Sequence, residues 1–357
     1  MFDFVVIGGG IAGISAGARL SQLGSVCVLE AENALAYHAS GRSAAMYEAT
    51  YGAPSVIALN LASREYHETV NGGVLSPRGL MIVGGKGQDK ELAHDLEVMK
   101  MDPLSTDEAL DLFPILNPDA MIGAGYHADG WDIDTDLLLQ NFARDIRANG
   151  QVHTRTKVTA ITRLPNGWEV TTPKMTVQCK TLVNAAGPWV DQVAALAGIK
   201  PIGIQPYRRS MARIAAPEGM DVSGWPMAMG AGESWYAKPD AGALLVSPEE
   251  EDLIEPMDAW ADDMVLAEGI ARYEEMVTQP VTRMIANWAG LRSFAPDRNL
   301  VLGPAPEDRS FIWCAGQGGY GFQTSPAASK LLADLVAGRT PEIEAETVAK
   351  IVPDRFA

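Results

Sequence analysis

The chain has 357 residues, enough for two domains and a large buried core, and its 47% hydrophobic and 20% charged content is ordinary for a globular enzyme. A net charge of -17 excludes tight contact with nucleic acid or an anionic membrane surface. No stretch reaches about 18 uninterrupted apolar residues, and Asp3 stands where a signal peptide carries cations, so neither a membrane span nor a leader is expected.

Phe2 to Ile7 reads as a buried strand. Gly8-Gly9-Gly10-Ile11-Ala12-Gly13 follows, then a helix to about Leu23 ended by Gly24, then a second buried strand from Ser25 to Glu30. This is a βαβ unit with the pattern of a parallel sheet. Helices are expected over 56–70, 89–101 and 107–113, with a strand over 80–83. Asp134 or Thr135 caps a helix that runs to Asn149 and stops at Gly150. Val158–Arg163 and Trp168–Thr172 form a hairpin around Pro165-Asn166-Gly167. A strand over 181–184 and a helix over 189–197 come next, and 206–247 is rich in turns and short strands. Residues 249–263 are acidic and read as a surface loop opening into a helix. Strand and loop return over 292–302, a strand spans 311–315, and a glycine loop over 316–321 leads to a helix over 325–336 ended by Gly338.

The pieces interleave. The expected fold is α/β: a Rossmann-like nucleotide-binding domain from 1–45, 137–205 and 290–357, with a mixed α+β substrate domain from 46–136 and 206–289. Cys27, Cys179 and Cys314 form no CxxC and sit in apolar runs, which predicts buried reduced thiols and a cytoplasmic compartment. The five histidines show no metal-ligand spacing, so no metal site is expected.

Gly8-x-Gly10-x-x-Gly13 directly follows a strand and opens a helix, and Glu30 ends the next strand about twenty residues on, which is the dinucleotide fingerprint in its structural context. Gly8 permits the tight turn, Gly10 lets the backbone approach a pyrophosphate, and Gly13 allows close helix–strand packing. The helix N-terminus offers free N–H groups to phosphate, and Glu30 is placed to accept from ribose hydroxyls. The fingerprint alone does not choose NAD over FAD; three further clusters do. These are His38-Ala39-Ser40-Gly41-Arg42-Ser43-Ala44-Ala45, Asn184-Ala185-Ala186-Gly187-Pro188-Trp189, and the loop from Gly316 to Thr324.

Those four segments in this order resemble the D-amino-acid oxidase, glycine oxidase and sarcosine oxidase superfamily of flavoenzymes. Within it the chain is most similar to bacterial D-amino-acid dehydrogenases of the D-arginine dehydrogenase type. The match is carried by Tyr37-His38, Tyr51-Gly52, Leu75-Ser76-Pro77-Arg78, Asp132-Ile133-Asp134-Thr135-Asp136 and Arg208-Arg209-Ser210. Trp225-Pro226-Met227, Tyr236, Lys238-Pro239-Asp240-Ala241-Gly242, Trp288 to Phe294 and the Gln317 to Ser325 loop complete it over nearly the whole chain.

The resemblance implies noncovalent FAD held by Gly8, Gly10, Ile11, Ala12, Gly13, Glu30 and Ala31; by Gly41, Arg42, Ser43, Ala44 and Ala45; and by Val158, Ala186, Gly187 and Trp189. Gly318, Gly319, Tyr320, Gly321, Phe322 and Gln323 complete the set. It also implies that Arg209 and Arg292 clamp a substrate carboxylate while Tyr51 and Tyr236 close the pocket. A guanidinium fork suits that task, and Arg208 is taken as the bystander of its pair. An amino acid so held gives up its α-hydrogen as hydride to flavin N5, leaving an imino acid that water converts to a 2-oxo acid and ammonia. No general base is nominated.

The side-chain pocket departs from the arginine-preferring pattern at Met46, Glu48 and Leu80: the family's guanidinium-binding glutamate is replaced by Leu80, its histidine near the flavin by Met46, and its pocket threonine by Glu48. Glu48 either relocates a cation site or faces solvent. D-arginine preference is therefore not carried over. The strand that carries the oxygen-activating lysine of sarcosine-type oxidases reads Ala243-Leu244-Leu245-Val246, and Ala295 stands near the flavin-linking cysteine's place. These differences favour a dehydrogenase that passes electrons to a quinone or other acceptor. The alternative is an oxidase of glycine, sarcosine or another small secondary amine.

Overall fold

The computed structural model describes residues 1–357. Its first sheet is built on Phe2–Ile7, which pairs in parallel with Val26–Leu29 on one side and Thr176–Asn184 on the other. Gly150–His153 adds in parallel beyond Val26–Leu29, and Phe311–Ala315 pairs in parallel with the end of Thr176–Asn184. Val301–Pro304 and the hairpin of Ala160–Leu164 with Gly167–Thr171 complete eight strands. Alternate strand residues feed two cores. Phe4, Val6, Val26 and Val28 pack with Ile14, Phe142 and Leu331 of the helices Ile11–Leu20, Thr135–Arg147 and Gly321–Ala337. Val5, Ile7, Cys27 and Leu29 pack with Trp168, Val190 and Trp313. A parallel sheet covered on both faces is what the continuous apolar strands predict.

The second sheet has nine strands, in which Gln205–Ala215 runs antiparallel to Met284–Phe294. The short Asp252–Leu253 pairs at its edge, and beyond it lie Ala243–Ser247, Tyr236–Asp240, Met227–Gly230, Leu80–Gly85, Met121–His127 and Asp102–Leu104. One face holds a core of Met81, Ala212, Val246 and Leu291 under Phe113, Trp225, Trp235 and Tyr273. The other presents Leu80, Ile82, Met211, Met229 and Tyr236. A small third sheet joins Met46–Glu48 and Leu75–Pro77 to Gly130–Ile133.

Several elements differ from the sequence expectation. The helix expected to run to Asn149 ends at Arg147 with Ala148 as its cap, Gly150 opens the strand Gly150–His153 instead of closing the helix, and Val158 lies in a loop before its hairpin rather than in it. The last helix starts at Gly321, four residues early, and carries Pro326 inside; the Phe322 carbonyl, which Pro326 cannot serve, accepts from Ser325 Oγ at 2.9 Å. The strands Gln205–Ala215 and Met284–Phe294 are each 11 residues long, where short strands and turns were expected. Their apolar alternation is broken by Arg208, Arg209, Ser210 and Asn287, so period-two reading fails there. The expected boundary at 289/290 falls inside the second of these strands.

Candidate active site

A cavity of about 540 Å³ lies between the carboxyl ends of the parallel strands, at Ile7, Leu29 and Ala185, and the Met211–Met229–Tyr236 face of the second sheet. Gly8, Gly10, Ile11 and Ala12 line it, and the helix Ile11–Leu20 begins there with no cap from Gly10, its first N–H donating to Ser40 Oγ at 3.0 Å. Gly8 has φ +112°, and a Cβ on Gly13 would stand 2.0 Å from the Gly8 carbonyl oxygen, so both glycines are obligatory for the turn. Gly13 therefore acts through packing and does not itself line the cavity; neither does Gly41, where a Cβ would stand 2.2 Å from the Ala36 oxygen. Glu30 and Ala31 line the cavity at the end of their strand. The Glu30 carboxylate accepts from the backbone N–H of Gly9 at 2.6 Å and of Glu32 at 2.7 Å, which fixes it at the rim.

Ser43, Ala44, Ala45, Val158, Ala186, Gly187 and Trp189 all reach the same cavity. Arg42 does too, yet its guanidinium is engaged elsewhere: it donates to the carbonyls of Ala259 at 2.8 Å and Ala289 at 2.9 Å and pairs with Asp258. It ties this loop to the second sheet and is not a free cation for phosphate. His38 pairs with Glu32 at 3.0 Å and packs against Trp189, a structural place. Gly318, Gly319, Gly321, Phe322 and Gln323 line the opposite wall, where the helix Gly321–Ala337 also starts without a side-chain cap. Tyr320 is behind that wall, edge-on to Tyr51 with ring centroids 5.6 Å apart.

At the other end stand Arg209, Arg292, Tyr51, Tyr236, Met46, Glu48 and Leu80, all on the cavity surface. The strand register brings the two arginines together. Arg209 faces Gly290, and Arg292 lies two residues on, so both project from one face at diagonal positions. Arg208 projects to the other face and pairs with Asp252 at 2.7 Å, as expected of the bystander.

The profile of the DAO family, described as FAD dependent oxidoreductase, matches residues 3–335. The chain belongs to this family. Its DAO relatives include the bovine FAD-dependent oxidoreductase domain-containing protein 1, which is 22% identical over 94% of this chain and 81% of its own length. In structure the chain is similar to glycine oxidase from Geobacillus kaustophilus, with a TM-score of 0.83, 22% identity and 97% of each chain covered. It is also similar to FAD-bound L-alpha-glycerophosphate oxidase from Mycoplasma pneumoniae, with a TM-score of 0.82, 21% identity and 94% of each chain covered. The cofactor of this DAO chain is FAD; the glycine turn and the two helix N-termini offer N–H donors suited to its pyrophosphate, and the Glu30 carboxylate is an acceptor suited to its ribose.

The charges at the substrate end of this DAO site are unequal. Arg292 makes no hydrogen bond or ion pair within the chain, and its guanidinium lies over Gly319, where a Cβ would come within 3.1 Å. Burial works against its charge, but the oxygens of Tyr51 and Tyr236 and the carboxylates of Glu249 and Glu233 outweigh that and hold it cationic. Arg209 is buried and pairs through Nη1 with Glu249 Oε1 at 2.9 Å, with Glu251 3.7 Å from Nη2. The reading of 249–263 as a surface loop is therefore corrected at its first residue: Glu249 is buried and lines the cavity, and burial raises its carboxyl to about 7 against the pull of Arg209. The charge run Glu249-Glu250-Glu251-Asp252 masked it, because a composition signal does not distinguish inward residues, here Glu249 and Glu250, from outward ones.

Burial pushes the Tyr236 phenol up to about 12 and raises Tyr51 as well, so both remain hydroxyl donors at neutral pH. Glu48 is buried, not solvent-facing: Oε1 accepts from the Thr50 hydroxyl at 2.7 Å, and Oε2 is 3.2 Å from His127 Nε2. Burial works against a charged His127, yet Glu48 raises its pKa. His127 escaped the sequence reading because no motif surrounds it; it is the cross-strand partner of Leu80. Met46, Met99, Met211, Met227 and Met229 supply the rest of the pocket wall. Cys314 lies outside the cavity, and burial holds its thiol at about 12.

Proposed function

We propose that the chain oxidises the α-carbon of a D-amino acid with an apolar or flexible side chain and passes the electrons to a quinone or other non-oxygen acceptor. The unpartnered Arg292 guanidinium on the cavity wall carries this reading, since a desolvated cation with no hydrogen-bonded or ion-paired anion in the chain is a receptor for a carboxylate. Arg209 adds a second cationic edge, and the neutral hydroxyls of Tyr51 and Tyr236 flank the same space, donating to Glu233 Oε1 and Met211 Sδ, each at 3.2 Å. Five methionines provide an adaptable apolar wall for a side chain, which suits a substrate larger than glycine. The cavity carboxylates Glu48 and Glu249 disfavour a phosphate dianion in the place of an amino acid.

Bound FAD supplies the two-electron acceptor, N5 of the flavin, to which the α-hydrogen passes as hydride. The chain's own part is to fix the carboxylate, exclude water and leave the amine neutral, so that the product is an imino acid that hydrolyses to a 2-oxo acid and ammonia. We place the FAD in the cofactor set above and the substrate between Arg292 and Tyr236, with the nucleotide-binding unit formed by 1–45, 137–205 and the chain beyond Phe294. The high thiol pKa of Cys314 and its place outside the cavity support noncovalent FAD. The D configuration and the closeness to D-arginine dehydrogenases rest on the sequence resemblance, as does a cytoplasmic location on the three buried free thiols.

Oxidation of glycine, sarcosine or another small secondary amine with release of hydrogen peroxide is the second reading, supported by the fold shared with glycine oxidase. Turnover of a D-amino acid panel with a soluble quinone analogue, run beside a peroxide assay in air, separates the two. Quinone reduction at least ten times faster than peroxide formation is expected. Peroxide formed in step with glycine or sarcosine consumption favours the second reading.

A further inference from the structure

The Arg209–Glu249 pair is more than a buried salt bridge. Glu249 lines the substrate cavity and lends only one oxygen to Arg209; Oε2 is buried with no hydrogen-bond partner. A carboxylate oxygen withdrawn from water and left unpaired is costly unless a ligand serves it. Its backbone is also held at φ 56°, a left-handed conformation that a non-glycine residue adopts only when its surroundings impose it. That conformation sets Glu249 into the cavity wall, while Glu250 accepts from the Ser210 backbone N–H at 2.6 Å and Glu251 and Asp252 face outward.

An amino acid carries its ammonium and carboxylate on one carbon, so it presents a cation beside an anion, the mirror of an arginine beside a glutamate. We propose that Glu249 is the receptor for the substrate's ammonium group and takes the proton that the amine must lose before its α-hydrogen leaves as hydride. In that step one N–H bond breaks, its electron pair stays on nitrogen, and an O–H bond forms at Glu249 Oε2. The freed pair then drives C=N formation as the α-hydrogen departs. This rests on the amino-acid reading above, and adds to it the base that the sequence did not nominate.

The groups facing Glu249 are Arg209 and Tyr236 from the second sheet, Arg292 from the neighbouring strand, Glu233 and Tyr51 from the loops above, and Glu251 on its own turn. Arg272 approaches from the helix Asp263–Glu275, donating to the Pro248 carbonyl at 2.9 Å. With burial dominant among these, the carboxyl is half ionised near pH 7, and an incoming ammonium lowers that further. Such a group accepts a proton near neutrality and returns it to solvent after release.

The test compares 2-aminoisobutyrate, which has both charges but no α-hydrogen and cannot be oxidised, with isobutyrate, which lacks only the amine. Binding is read from the flavin difference spectrum of the FAD-loaded protein, without turnover. The wild type should prefer the amino compound, and E249Q should reduce the affinity ratio at least tenfold, largely by binding 2-aminoisobutyrate more weakly. In the wild type alone, falling pH through about 7 should weaken 2-aminoisobutyrate and strengthen isobutyrate, which keeps the test open if E249Q loses flavin. In turnover, the acidic limb of flavin reduction should move at least one unit upward in E249Q. An unchanged ratio and an unmoved limb, with full flavin content, would overturn the proposal. So would tighter isobutyrate with an unchanged amine response, which would reduce Glu249 to a prop for Arg209. A wild type that reacts with no amino acid, yet shows the predicted binding ratio, would instead remove the oxidation reading and leave the ammonium site standing.

Discussion

Arg292 and Arg209 sit on one sheet face as diagonal neighbours, yet only Arg292 is without an internal partner. The two are therefore not equivalent. Arg292→Ala should lower kcat/KM at least 100-fold, since a charge-assisted hydrogen bond to a carboxylate contributes about 1.5–3 kcal/mol and two are at stake. Arg209→Ala should act less on substrate binding and more on stability, because it strands the Glu249 charge in a buried site. Steady-state kinetics with an artificial acceptor and thermal melts on both variants check this; equal kinetic losses would contradict it. At this scale the residues inside motifs were legible in the sequence: Arg209, Arg292, Tyr51, Tyr236, Met46, Glu48 and Leu80 all reach the cavity. Glu249 and His127 were not, because their significance lies in partners far along the chain and no local pattern marks them.

Among the elements, the glycine turn after Phe2–Ile7 was read correctly because its requirement is local: backbone and helix must meet with no Cβ between them. Gly13→Ala places a carbon 2.0 Å from the Gly8 oxygen, so the purified variant should contain less than about a tenth of the wild-type flavin, measured as the ratio of visible to ultraviolet absorbance. A fully loaded variant would show that the turn tolerates opening. The strand pair Gln205–Ala215 and Met284–Phe294 was not legible, since its pairing is distant in sequence and its inner face carries the site's polar groups. The helix Pro54–Thr69 supplies a further link, because His67 Nε2 meets the Gln323 carbonyl at 2.9 Å behind the cofactor wall. Burial lowers the His67 pKa to about 4 against that hydrogen bond. The unfolded chain then binds the proton first, so stability is present above the ordinary value near 6.5 and falls as pH drops from there toward 4. Urea unfolding at pH 7 and pH 5 should show the loss in the wild type, on the order of 2 kcal/mol, and a smaller loss in His67→Gln. An identical loss in both would place the acid sensitivity elsewhere.

For the molecule as a whole, two sheets enclose one cavity whose ends differ in character. The strand ends, glycine turns and helix N-termini make the cofactor end, and they were readable because phosphate binding uses backbone in a recurrent pattern. The substrate end is assembled from side chains of six separate strands and the loops above them, so its charge balance appears only once the chain is folded. FAD bridging both should raise Tm in proportion to the logarithm of its concentration, which links cofactor loading to folding.

The measurement that bears most directly on the central claim is the visible spectrum of the FAD-loaded protein, recorded anaerobically before and after D-amino acids, L-amino acids, glycine and sarcosine. The account predicts flavin bands that bleach with D-amino acids of apolar or flexible side chain and persist with the L forms. Flavin that stays oxidised with every amine, or protein that cannot be loaded with FAD, would contradict it.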